Sequence, residues 1–195
     1  MKAHTAVRFR AYPTEEQARR INRTIGCVRF VYNLMLETRI AHYQTTWESC
    51  YPTPALYKDT YPFLREVDGF ALCNAQLALE KAYKRFFEDR KTGFPKYKSK
   101  RRGRKTYTTN LSHGNIRLDD KARRLKLPKL GWLAVRQHKH IPDDWKLKIR
   151  HRGALPFRKI HRDNPFRVRD PNTRKSEAGE ACRIGLRVSR PVCFQ

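Results

Sequence analysis

Residues 5–13, TAVRFRAYP, alternate: Val7, Phe9 and Ala11 fall on one side, Arg8, Arg10 and Tyr12 on the other. That is the period of a half-buried strand, and Pro13 ends it. Thr14 and Gln17 then have the spacing of a capping box, in which the hydroxyl accepts from the third helical N–H while the amide reaches back, so a helix is expected from Glu15. Its apolar positions are Ala18, Ile21, Ile25, Val28, Tyr32 and Met35, spaced 3, 4, 3, 4, 3, and Leu36, Ile40 and Tyr43 continue on a neighbouring stripe. Gly26 interrupts this face at a cost of about 1 kcal/mol relative to Ala, which predicts a bend or a second helix packed against the missing side chain. Arg19, Arg20, Arg23, Arg29 and Arg39 are read as lying off the stripe, on a face either solvated or turned to phosphates.

Residues 50–64 hold Pro52, Pro54 and Pro62 among three tyrosines, which suits a loop. A second helix is expected over about 69–90 with Asp68 as N-cap, its face built from Leu72, Gln76, Leu79, Tyr83 and Phe86, flanked by Ala75, Ala82 and Phe87. Gly93 and Pro95 stop it. Short alternating segments follow, KTYTTN, GNIRLD, RRLKLPK and GWLAVRQH, each bounded by turn residues. Strand, helices, strands is the order of an α+β fold. Residues 1–12 and 106–149 are expected to form a small antiparallel β-barrel, with a helical lobe over 13–105 inserted, followed by an irregular basic tail over 150–195. Trp132 is expected to fill the core, because aromatic side chains dominate core energetics.

Charge changes this picture from a fold to a partner. The 195 residues carry 44 Lys plus Arg against 18 Asp plus Glu, a net +26. Such a chain repels itself unless a polyanion binds it, whereas solubility alone asks for a net charge of only about 2 to 8. Nucleic acid, RNA foremost, is the expected partner. No run reaches the roughly 20 apolar residues of a membrane span, and the first residues do not form a signal-peptide core, so no membrane role and a cytoplasmic location are expected. Cys27, Cys50, Cys73, Cys182 and Cys193 are widely spaced with no C-x-x-C, and are read as reduced. His138 and His140, with Asp143 and Asp144 near, make a poor ligand set, and no metal or other cofactor is expected.

The densest charge lies in GFPKYKSKRRGRKTYTT, residues 93–109, where seven of the ten residues from Lys96 to Lys105 are basic and no acid occurs between Asp89 and Asp119. Either this is a flexible polybasic tail or it is a placed part of a gripping surface. A structureless stretch between two structured segments of a compact domain is uncommon, which favours placement.

YPTEEQARRINRTIGCVRFVYN (12–33), YPFLREVDGFALCNAQLALEKAYKRFF (61–87), GFPKYKSK (93–100) and IRLDDKARRLKLPKLGWLAVRQHKHIP (116–142) resemble, in order and spacing, the N-terminal half of the TnpB/OrfB proteins of bacterial insertion sequences. The likeness extends to about Ile149. It implies a wedge barrel with an inserted recognition lobe, a segment often labelled helix-turn-helix, and a part in RNA-guided DNA cleavage and transposition. The same resemblance implies that the basic run sits where the lobe returns to the barrel, near guide RNA and target. One cation every one or two residues can contact successive phosphates, and Tyr97 and Tyr107 could lie against sugars or bases. The expected nucleic-acid contacts are Arg29, Lys96, Tyr97, Lys98, Lys100, Arg101, Arg102, Arg104 and Lys105, with Lys129 and Arg136 as weaker backbone contacts.

After Ile149 the likeness stops. The family's nuclease is a RuvC-like domain with three metal-holding acids, needed because hard cations must be clamped by oxygen ligands. The nearest segment to its opening strand is RIGLRVS, 183–189, with Arg187 where the first Asp would stand; Arg has donors only and cannot ligate a cation. Asp163, Asp170, Glu177 and Glu180 are read as local charge partners. A binding fragment without catalytic residues is therefore expected, with a tail whose composition fits a frameshifted or truncated remnant; the alternatives are a nuclease-dead RNA-guided DNA-binding regulator and a decayed reading frame.

Overall fold

The computed structural model describes residues 3–89, 91–101, 103, 105–136, 146–147 and 182–190. Strand β1 (Ala3–Tyr12) leads through Pro13 into helix α1 (Glu15–Thr46). The capping box is formed: Gln17 N–H donates to Thr14 Oγ1 at 3.3 Å and Thr14 N–H to Gln17 Oε1 at 3.0 Å. Both bonds satisfy amides that the first turn of a helix leaves without partners. α1 runs unbroken for 32 residues and ends at Trp47 in a left-handed conformation. Around Gly26 nothing lies within 4 Å of where a Cβ would stand, so no second helix packs into the gap.

The 50–64 region is more regular than a loop, with 3-10 turns at Pro54–Tyr57 and Pro62–Arg65 that bury Pro54 and Leu64. Helix α2 (Gly69–Glu88) starts where Asp68 Oδ1 accepts from Phe70 N–H at 3.1 Å. Its buried residues, Ala71, Leu72, Asn74, Ala75 and Leu79, belong to the first three turns, whereas Phe87 is 77% exposed.

Strands β2 (Arg117–Asp119), β3 (Arg124–Leu127), β4 (Gly131–Arg136), β5 (Lys146–Leu147) and β6 (Cys182–Arg190) complete an antiparallel sheet of order β2-β3-β4-β1-β6-β5. The α+β class holds, but the barrel does not: the sheet is open. β2 and β5, three and two residues long, stand at opposite ends and do not pair with each other. KTYTTN forms no strand; its Tyr107 is buried in the core.

The tail is not irregular throughout. β6 runs antiparallel to β1, Ala3 opposite Arg190 through Ala11 opposite Cys182. RIGLRVS is thus a strand of this sheet, with Arg187 opposite Ala6 in the register. Asp163, Asp170, Glu177, Glu180, His138, His140, Asp143 and Asp144 lie outside the described residues. One hydrophobic cluster joins sheet and helices, with Phe9, Ile21, Met35, Leu36, Leu72, Leu79, Leu125 and Leu133 at its centre.

Candidate nucleic-acid interface

The basic run is fixed to the helices at several points. Pro95 is buried, and Asn33 on α1 takes both backbone groups of Lys98: Lys98 N–H donates to Asn33 Oδ1 at 2.8 Å, and Asn33 Nδ2 donates to Lys98 C=O at 3.0 Å. This two-bond clasp reproduces on a side chain what a neighbouring strand would offer. The Lys98 ammonium turns inward over the Tyr32 ring, 3.6 Å from its centroid, a cation–π contact. Burial lowers its pKa from 10.5 to about 8. Lys98 is thus spent partly on anchoring.

One turn further, Gly103 N–H donates to Ser99 C=O at 3.0 Å, and a Cβ at Gly103 would stand 2.5 Å from that oxygen. Only glycine fits this turn. The run ends on buried Tyr107. Between these fixed points Lys96, Tyr97, Lys100, Arg101 and Lys105 are exposed; Arg102 and Arg104 lie outside the described residues. Arg29 is half-buried on α1, four residues before Asn33 and therefore one turn along the same face.

Lys129 and Arg136 belong to a second surface. Lys129 is exposed in the β3–β4 turn at φ 62°, and its carbonyl accepts from Arg20 at 3.2 Å, while Gln17 Nε2 donates to Trp132 C=O at 2.8 Å. These bonds fix the turn against the start of α1. Arg136 is exposed at the end of β4, opposite Arg10 of β1. Trp132 is not a core residue: β4 buries Leu133 and Val135, so alternation turns Trp132 outward, 44% exposed and opposite Lys126. Tyr12, Arg10, Arg124 and Lys126 are exposed beside it on β1 and β3, giving an outer sheet face of aromatics among cations. Lys126 and Trp132 were discoverable, since strict alternation in RLKL and GWLAVR assigns both to the polar face.

The α1 arginines divide differently from expectation. Arg19 pairs with Glu15, Arg20 with Glu16 at 2.6 Å and Arg23 with Glu66 at 2.6 Å, all exposed pairs. Arg39 is buried. Among the described residues no group of three or more His, Cys, Asp and Glu is disposed to hold a metal ion, and no helix is long and apolar enough to cross a membrane. Cys27, Cys50 and Cys73 are free thiols, and burial raises the pKa of Cys27.

A family model described as a helix-turn-helix domain, of the OrfB type of IS605 elements, matches residues 1–47. Those residues hold β1 and one continuous helix. A Streptomyces pristinaespiralis protein named "Putative RNA-guided DNA endonuclease" is 36% identical over 109 residues, 51% of this chain and 26% of the relative. A protein of the same name with the suffix InsQ, from Escherichia coli (strain K12), is 27% identical over 156 residues, 72% of this chain and 36% of the relative. "Virulence protein VsdF" of Salmonella dublin is 34% identical over 104 residues, 46% of this chain and 87% of that protein. The chain thus spans about a quarter to about a third of the length of the first two relatives.

Proposed function

The chain belongs to the TnpB/OrfB family of insertion-sequence proteins, and from that premise we propose that it grips nucleic acid, RNA first and DNA with it, through a rigid basic strap laid along α1, and does not itself cut. The observation that carries this reading is the Asn33 clasp on the Lys98 backbone. A tail that works by charge alone needs no fixed course. A strap held by Asn33 and turned at Gly103 presents its cations at set spacings, which reduces the ordering cost of binding. The outer sheet face, with Trp132 and Tyr12 among Arg10, Arg124 and Lys126, offers stacking and phosphate contacts of the kind single strands use.

Charge-neutral variants test the proposal. Asn33→Ala and Gly103→Ala keep every cation, so a flexible tail would bind as before; a placed strap should lose about three- to tenfold in affinity for a structured RNA, read by filter binding. Replacing Lys96, Lys100, Arg101 and Lys105 by Gln should instead flatten the dependence of log K on log salt by about 3, at roughly 0.7 per phosphate contact on a single strand. Unchanged affinity in both alanine variants would overturn the strap. Guided plasmid cleavage in magnesium, lost on mutation of Asp163, Asp170, Glu177 or Glu180, would overturn the statement that the chain does not cut.

A further inference from the structure

The late turns of α1 and α2, with the segment Ser49–Tyr51 and Phe94, line a cavity of about 540 Å³. This lies within the range of about 300–1000 Å³ typical of small-ligand sites. Arg39 lines it and is 9% exposed. The Tyr51 ring covers its guanidinium at 4.7 Å and the Tyr83 ring at 5.0 Å. Arg39 Nε has no hydrogen-bond partner among the described residues. With two rings against it, the guanidinium still has N–H donors to offer a ligand, Nε–H among them.

Most of the rest of the wall is aromatic, with Ile40, Gln44, Ser49 and Cys50 completing it. Phe94 meets Tyr83 edge-on at 5.6 Å and Phe86 at 5.4 Å. Phe87 lies nearly parallel to Tyr83 and is 77% exposed, and Tyr51 is 69% exposed. Aromatic surface left open around a desolvated donor is incomplete as it stands, because a buried polar group without an acceptor costs free energy.

We propose that this cavity takes one unstacked nucleobase from a single-stranded segment, with its acceptor edge on Arg39 and its ring against Phe87 or Tyr51. The inference rests on the nucleic-acid reading above and adds a base-specific site to it. An apolar peptide side chain would cover the rings but leave Arg39 without an acceptor. A phosphate would satisfy Arg39 and leave the rings in water. A base does both, and the net charge of +26 favours a polyanion that delivers one. Guanine fits best, since its O6 and N7 are paired acceptors for a guanidinium fork. Continuity favours the same ligand: Phe94 is in the wall, and the strap's first exposed cation, Lys96, follows two residues later.

The test uses the full chain and a short single strand of abasic ribose units carrying one guanine, one uracil or no base at its centre, titrated by fluorescence anisotropy. The guanine strand should bind about tenfold tighter, the scale of one base–aromatic stack. Tyr51→Leu and Phe87→Ser, both at exposed positions, should bring that ratio towards one and leave the abasic strand's affinity unchanged, with circular dichroism confirming that each variant is folded. Arg39→Lys should keep tight binding of strands but lose preference for guanine over uracil. Equal affinity of the wild-type chain for guanine and abasic strands overturns the pocket and leaves the strap standing. Binding to neither strand overturns both. A wild-type dimer that Phe87→Ser turns into a monomer in sedimentation, with the guanine ratio intact, overturns the pocket in favour of a self-association face.

Discussion

Two side chains illustrate how burial and charge trade against each other here. Asp68 caps α2 through one oxygen, and burial raises its pKa, partly offset by the Thr109 hydroxyl and the Phe70 and Ala71 amides. The cap needs an acceptor and not a charge. Asp68→Asn should therefore stay within a few tenths of a kcal/mol of wild type, whereas Asp68→Ala should lose about 1 kcal/mol, both read from urea unfolding. Lys98 presents the opposite case. Its folded pKa of about 8 lies below the unfolded 10.5, so between those values the unfolded chain holds a proton that the folded chain has released. Stability from this group rises with pH across that window, and the cost of burying the charge is present in full below it. Burial of the Cys27 thiol and the Tyr32 phenol acts in the other direction at alkaline pH, since both hold their protons longer when folded. A comparison with Lys98→Met removes those shared contributions: wild type should gain on the variant as pH climbs from about 8 to 10.5 in thermal melts. A constant difference would mean that Lys98 is solvated.

In the helices and strands, local rules were legible where they are local. Thr14 and Gln17, or Asp68, mark helix starts because the bonds they make span two or three residues. Arg39 was misjudged by its charge, although the spacing was there to read: it follows Met35 by four and Tyr32 by seven, so it continues the buried stripe. Its burial draws on Tyr51 and Tyr83, from two other segments, whose rings lie against the guanidinium. Trp132 was misjudged by its size, with alternation deciding its side of the sheet. RIGLRVS was singled out as strand-like, but its pairing with β1 was invisible, since no periodicity within Cys182–Arg190 names a partner that far away. The Asn33 clasp was hidden for the same reason, an interior helix amide reaching a strap 65 residues on. Gly26 gives a direct test at this level. With open space around its Cβ position and no positive φ, Gly26→Ala should stabilise α1 by about 1 kcal/mol, or about 2–4 °C in melting temperature. A loss of stability would show that α1 needs its glycine to bend.

Taken together, the molecule sets a net charge of +26 on a fold whose acids are partly consumed in pairs, Glu15, Glu16 and Glu66 by α1 arginines and Asp59 by Arg65. The strap between Asp89 and Asp119 has no acid of its own sequence to answer it. Like charges on one compact body oppose folding, and salt screens them over about 10 Å at 0.1 M. Without nucleic acid, the melting temperature should therefore rise as salt is added from low ionic strength. With a saturating single-stranded RNA the sign should reverse. Ligand bound to the folded state adds about 2.7 kcal/mol at a hundred times Kd, and salt weakens that binding by releasing the counterion advantage. The two melting curves should approach each other as salt increases, with the RNA-bound sample the more stable at every low-salt point, in scanning calorimetry. Were RNA to leave the low-salt melting temperature unchanged, the excess charge would have to be answered by another polyanion, and the fixed course of the strap would have to serve something other than phosphates.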